Sequence, residues 1–183
     1  MMVPTSFSRV PGRMFLDSCV LQLLSTYGEY VYDGGVLRAG DRIHRMPHGL
    51  EDLRALRELT LVGQRASFDW VVSRGSIGEA LRKRDGFHAG WVFEMAEYAT
   101  WCLEANPPSL DTRTDLSDRQ FGYLSGGDRR LLEDALRLGC GGFLTTDRRL
   151  RRNAEHMERA VVVRIMTPPE YWKEVEPWSM LFC

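Results

Sequence analysis

Residues 142–165 read GFLTTDRRLRRNAEHMERAVVVRI, and the fold turns on this stretch. Gly142 to Thr146 is short, apolar and β-branched, and it ends at Asp147, which reads as a strand followed by a turn. Arg148 to Glu155 has helical character. Ala160 to Ile165 is a continuous apolar run, the mark of a parallel strand covered on both faces. A strand, a helix and a second strand in so short a span predict a chain that returns to its sheet in the same direction.

Working outward, Thr167-Pro168-Pro169-Glu170 opens a final helix, since proline is welcome in a first turn. Upstream, Asp128 to Leu138 is a strong helix closed by Gly139. Arg13-Met14-Phe15-Leu16 reads as a buried strand ending at Asp17, and Ser18 to Leu24 as a helix with Ser18 at its cap. Tyr30-Val31-Tyr32, Asp33-Gly34-Gly35 and Val36-Leu37 predict a small hairpin. Residues 49–65 place Leu50, Leu53, Leu56 or Arg57, and Leu61 at helical intervals. Ser67 to Ser73 predicts a strand. Ser76 to Leu81 predicts a helix in which Ser76 and Glu79 match a capping box. His88 to Glu104 predicts a long helix stopped by Asn106-Pro107-Pro108, and residues 106–126 a polar loop carrying Asp111, Asp115 and Asp118. Strands alternating with helices give an α/β fold: a three-layer α/β/α sandwich with a mainly parallel central sheet, one domain over residues 1–183.

Composition narrows the partners. The chain has a formal net charge of −1, with 24 Lys and Arg against 25 Asp and Glu. Lysine occurs only at Lys83 and Lys173, so nearly all positive charge is arginine, which binds phosphate in a planar, bidentate way. Arg148, Arg149, Arg151 and Arg152 form a basic run, readable as phosphate contact or as a solvated helix face. Cys19, Cys102, Cys140 and Cys183 are widely spaced without a Cys-x-x-Cys, which suits a reduced, cytoplasmic setting. His44 and His48 flank Pro47 and do not read as a metal pair. No segment approaches the roughly 20 apolar residues of a membrane span.

In an open parallel sheet, ligands bind beyond the carboxyl ends of the strands. Asp17 and Asp147 each follow a predicted strand, while Glu79 and Asp128 lie near helix starts that could face the same crevice. Glu79 could equally serve the capping box, and Asp128 a cap. Four converging carboxylates would repel one another unless protonated or bound to a hard divalent cation, for which Mg²⁺ or Mn²⁺ is suited. Such ions can activate water against a phosphodiester without a nucleophilic side chain. Glu94, Glu97 and Glu104 read instead as a solvated face, and Trp91, Phe93 and Trp101 as core or dimer contacts.

Four segments together resemble the PIN-domain nucleases: Leu16-Asp17-Ser18; Ser73 to Glu79 with Ala80-Leu81; Asp128 to Gly139; and Phe143-Leu144-Thr145-Thr146-Asp147. The order of the acids, the helix between Asp128 and Asp147, and the Val-rich strand before Thr-Pro are similar to that family. The resemblance covers most of the chain. It implies a PIN-like fold, Mg²⁺ or Mn²⁺ dependence and endoribonuclease activity, with Asp17, Glu79, Asp128 and Asp147 as catalytic metal ligands. Ser18, Thr145 and Thr146 would orient those acids, and Arg148, Arg149 and Arg151 would contact RNA phosphates. Many members of the family are toxin halves of toxin–antitoxin pairs, so an antitoxin protein and a homodimer are implied partners. Residues 27–48 look like an insertion relative to compact members, and 106–126 is longer than a simple connection.

Rival chemistries fit less well. An aspartyl phosphatase would want a second Asp where Cys19 stands, and a phospho-receiver domain a suitably placed lysine. The alternative from another class is a catalytically silent PIN-like domain that binds RNA or a partner protein.

Overall fold

The computed structural model describes residues 7–82, 90–91, 94–98, 121–159 and 161–182. Its centre is a four-stranded, all-parallel sheet in the order β2-β1-β3-β4, formed by β1 (Arg13–Leu16), β2 (Asp69–Val71), β3 (Gly142–Leu144) and β4 (Arg164–Met166). Side chains of a strand point alternately to its two faces, and that period separates two cores. Met14, Leu16, Leu144 and Met166 enter one, with Val20 and Leu21 of α1 (Ser18–Thr26), Leu53, Leu56 and Leu59 of α3 (Gly49–Ala66), and Tyr171. Phe15, Val71, Phe143 and Ile165 enter the other, with Leu131, Leu132, Ala135 and Leu136 of α5 (Gly126–Arg137). Leu150 of α6 (Arg148–Arg152) and Ala154 and Met157 of α7 (Ala154–Glu158) complete that second core. Helices therefore cover both faces of the sheet.

The register sets Phe15 beside Phe143, their rings stacked at 5.2 Å, and Leu16 beside Leu144. It also sets Met14 against Gly142, where an added Cβ would lie 2.2 Å from the Met14 sulfur. A larger residue opening β3 would therefore require the Met14 side chain to move. On the first face α8 (Pro168–Val175) lies against α3, and the buried Tyr171 hydroxyl donates to the Pro11 carbonyl at 2.7 Å. Thr167 and Glu170 cap α8 reciprocally, with Pro168 in its first turn.

Several elements depart from the sequence expectation. The stretch expected as a hairpin is instead α2 (Gly28–Tyr32). Gly34 takes the left-handed conformation (φ 71°), and the Gly35 N–H returns to the Glu29 carbonyl at 2.8 Å. The glycine pair thus ends a helix rather than turning a hairpin. Asp17, not Ser18, occupies the cap position of α1. The fourth helix, α4 (Arg74–Leu81), begins earlier than expected: Ser73 and Ser76 form its capping box, and Glu79 takes no part in it. Leu61 is exposed, because the buried stripe of α3 runs through Leu53, Leu56, Leu59 and Val62. The ladder of β4 begins only at Arg164: Val161 N–H still donates to the Met157 carbonyl of α7, and Val162 is exposed.

Of the helix expected over His88 to Glu104, residues 90–91 and 94–98 are described and helical. Its end at Asn106-Pro107-Pro108 and the loop acids Asp111, Asp115 and Asp118 lie outside the described residues. Among the described residues, no helix is long and apolar enough to cross a membrane.

Candidate functional site

The connections leaving β1 and β3 lie against opposite faces of the sheet, α1 in the first core and α6 in the second. The strand order reverses at that point, which opens a crevice at the carboxyl ends of β1 and β3. Hydrogen bonding continues one step past the strands. Asp17 N–H donates to the Leu144 carbonyl at 3.1 Å, and Thr145 N–H to the Met166 carbonyl at 3.0 Å. Asp17 and Thr145 are thereby fixed side by side at the crevice.

Asp17 is 8% exposed. An aspartate at a helix cap ordinarily accepts from the first-turn amides, but this side chain makes no such bond. Its Oδ2 accepts from Thr145 Oγ1 at 2.6 Å and from the Cys19 thiol at 3.0 Å, and its Oδ1 from Ser18 Oγ at 3.3 Å. All three donors are neutral. The fully buried Thr145 also accepts the Asp147 N–H at 3.0 Å, tying the start of α6 to Asp17. Thr145 is thus the threonine that orients the acids; no such bond involves the Thr146 side chain, whose backbone N–H donates to Cys19 Sγ at 3.2 Å.

Glu79 reaches the same place from α4. Its Oε2 lies 3.4 Å from Ser18 Oγ, so Ser18 stands between the carboxylates of Asp17 and Glu79. Its Oε1 faces Gly127, where an added Cβ would come within 2.9 Å. Asp128 follows in the first turn of α5, with Oδ2 accepting from Ser125 Oγ at 2.7 Å and its own N–H capped by that hydroxyl. Asp147 Oδ1 accepts the Arg149 N–H at 2.7 Å as the cap of α6. Asp17 and Glu79 are therefore coupled through one serine, whereas Asp128 and Asp147 serve as helix-start acceptors. Among the described residues, no three His, Cys, Asp or Glu side chains converge as a ready metal centre.

The arginines divide sharply. Arg148 Nη2 donates to the buried Asp52 at 2.7 Å, and Arg151 Nε donates to Glu170 at 2.7 Å. Arg149 is 84% exposed. Burial raises the Asp52 carboxyl above its usual range, against the opposing hydrogen bond and charge of Arg148. Burial also pushes the Cys19 thiol up to about 12, reinforced by the Asp17 charge, so Cys19 stays a proton donor.

Sequence reasoning overlooked Cys19 as a donor to Asp17, and also Ser125, although Ser125 precedes Asp128 at cap spacing. No family model, curated protein or solved structure matches the chain.

Proposed function

We propose that the chain is a metal-dependent endoribonuclease that hydrolyses phosphodiester bonds through Asp17, Glu79, Asp128 and Asp147. The observation that carries the reading is Asp17: a buried carboxylate at the β1/β3 switch point, bonded to no first-turn amide and satisfied only by neutral hydroxyl and thiol donors. A buried carboxylate without a cationic partner is costly unless it serves a cation or a proton. Glu79, one serine away and free of any capping role, supplies a second oxygen donor set. Each of Asp128 and Asp147 has one carboxylate oxygen engaged by its cap. Such all-oxygen donors suit Mg²⁺ or Mn²⁺, and those four residues would hold the ion.

The bound ion supplies Lewis acidity for attack by water on a phosphodiester. Thr145 holds Asp17 and the Asp147 backbone in register, and Cys19 and Ser18 keep the Asp17 carboxylate aimed. Helix starts at α1, α5 and α6 favour negative charge nearby. RNA as substrate follows from the resemblance to PIN-domain nucleases. A toxin role, an antitoxin partner, a homodimer and a cytoplasmic location enter through the sequence reading alone.

A second reading is favoured by one observation: Asp147 caps α6, Asp128 is held by the Ser125 cap of α5, and no three acids converge among the described residues. On that reading the domain binds RNA without cutting it. Asp17→Asn separates the two. The enzyme reading expects cleavage to vanish while RNA binding persists; cleavage unchanged in Asp17→Asn contradicts the site.

A further inference from the structure

A cavity of about 410 Å³ opens between α4 and α5, lined by Arg74, Arg82, Arg130 and Arg137, with Glu79 in its wall. Its shape follows from glycine. At Gly75 an added Cβ would meet Leu131 at 3.1 Å and Asp134 at 3.2 Å, so α4 and α5 approach closely there. At Gly78 nothing lies within 4 Å, which leaves the groove open. Arg74, Gly78 and Arg82 recur at four-residue steps and share one face of α4, roughly 12 Å from end to end.

Glu79, Glu133 and Asp134 also line the groove, so its arginines keep only a small formal positive excess, carried by those that are not paired. Arg137 is paired with Asp134. Arg130 Nε donates to the Gly126 carbonyl at 3.1 Å, not to a carboxylate. Arg74 and Arg82 are exposed and bonded to no carboxylate among the described residues. By contrast Arg148 and Arg151, in the basic run of the sequence, are engaged by Asp52 and Glu170.

We infer that this groove, and not Arg148 or Arg151, is the phosphate-binding track for single-stranded RNA, gripped by Arg74, Arg82 and Arg130. A guanidinium binds phosphate in a bidentate, sequence-independent way. A backbone lying along α4 is led towards Glu79 and the crevice behind it. The choice of RNA rests on the nuclease reading; the placement of the track rests on the groove.

The test is fluorescence anisotropy of a labelled, mixed-sequence oligoribonucleotide in EDTA, over a salt series. The native chain is compared with Arg74→Gln/Arg82→Gln. A control pair, Arg9→Gln/Arg159→Gln, removes equal charge near the opposite, amino ends of β1 and β4. On single strands each lost phosphate contact lowers the slope of log K against log salt by about 0.7, so the groove pair should lose about 1.4. If those contacts vanish near 1 M salt, the loss is about 25-fold in affinity at 0.1 M. Equal weakening by the two pairs, or no RNA binding by the native chain, overturns the inference. RNA cleavage by the native chain is read separately with Mn²⁺. Binding lost in the groove pair without native cleavage keeps the track and sinks the nuclease reading. Cleavage with unaltered groove-pair binding does the reverse.

Discussion

Replacing Thr145 with valine removes one hydroxyl and nothing else of consequence in volume, and the structure assigns that hydroxyl two roles. It donates to Asp17 Oδ2 at 2.6 Å and accepts the Asp147 N–H at 3.0 Å. A hydrogen bond to a carboxylate contributes about 1.5–3 kcal/mol, and an orphaned donor costs about 1–3 kcal/mol when buried. Thr145 is fully buried but the Asp147 side chain is 37% exposed, so the second contribution falls at the low end. The sum is about 3 kcal/mol, a large share of the roughly 5–15 kcal/mol that holds a domain together. Urea unfolding monitored by tryptophan fluorescence reads the change directly. Thr146→Val is the control, because that hydroxyl makes no bond to Asp17; it should shift stability by no more than about 0.5 kcal/mol. Activity should separate the pair as well, since loss of a residue that orients a metal ligand typically costs about 10–100-fold. A Thr145→Val chain within about 1 kcal/mol of native, or one indistinguishable from Thr146→Val, would refute the assigned role.

Other predictions follow from neighbouring geometry. Gly127→Ala would set a methyl 2.9 Å from Glu79 Oε1; turnover should fall while the melting temperature holds or rises, since alanine favours a helix over glycine by up to about 1 kcal/mol. Gly49→Ala would bring a Cβ within 2.7 Å of the Ile43 carbonyl, so overpacking should cost about 1–3 kcal/mol in chemical denaturation despite the helix gain. For Glu170, burial alone would raise the carboxyl, but hydrogen bonds from Arg151 and from Thr167 hold it below its usual range. Its contribution is therefore present above the unfolded value near 4.3 and lost as pH falls through the folded one; Glu170→Gln should flatten the acid limb of a stability profile. Cys19 and Cys140 are pushed up to about 12 by burial; peptide mapping after alkylation at mildly alkaline pH should find both unlabelled in the native chain and labelled in urea.

Local pattern made much of this architecture legible. The apolar run Met14-Phe15-Leu16, the amphipathic stretch of α3 and the Thr167-Pro168 start of α8 each carry their signal within a few residues, and each forms where expected. Asp17 was legible for the same reason, being the first polar residue after a buried strand. Where the reading failed, the same residues suit two structures. Asp33-Gly34-Gly35 suits a hairpin turn or a helix end, and the choice falls to Val31, buried in the first core, and to Tyr27, whose hydroxyl accepts the Ile43 N–H. Ser73 and Ser76 both suit a cap, and only the backbone path out of β2 selects Ser73. Arginine runs are equally ambiguous: whether Arg148 faces solvent depends on Asp52, 96 residues away in sequence. The α4–α5 groove joins residues from two distant segments, so no window of sequence displays it.

The most direct measurement is cleavage of a labelled, mixed-sequence RNA in EDTA, Mg²⁺ and Mn²⁺ by the native chain and by Asp17→Asn. The account predicts cutting only with a divalent ion, and its loss in Asp17→Asn with the fold and RNA binding intact. Cutting that survives EDTA or the Asp17→Asn substitution, or no cutting by folded native protein with either metal, would contradict it.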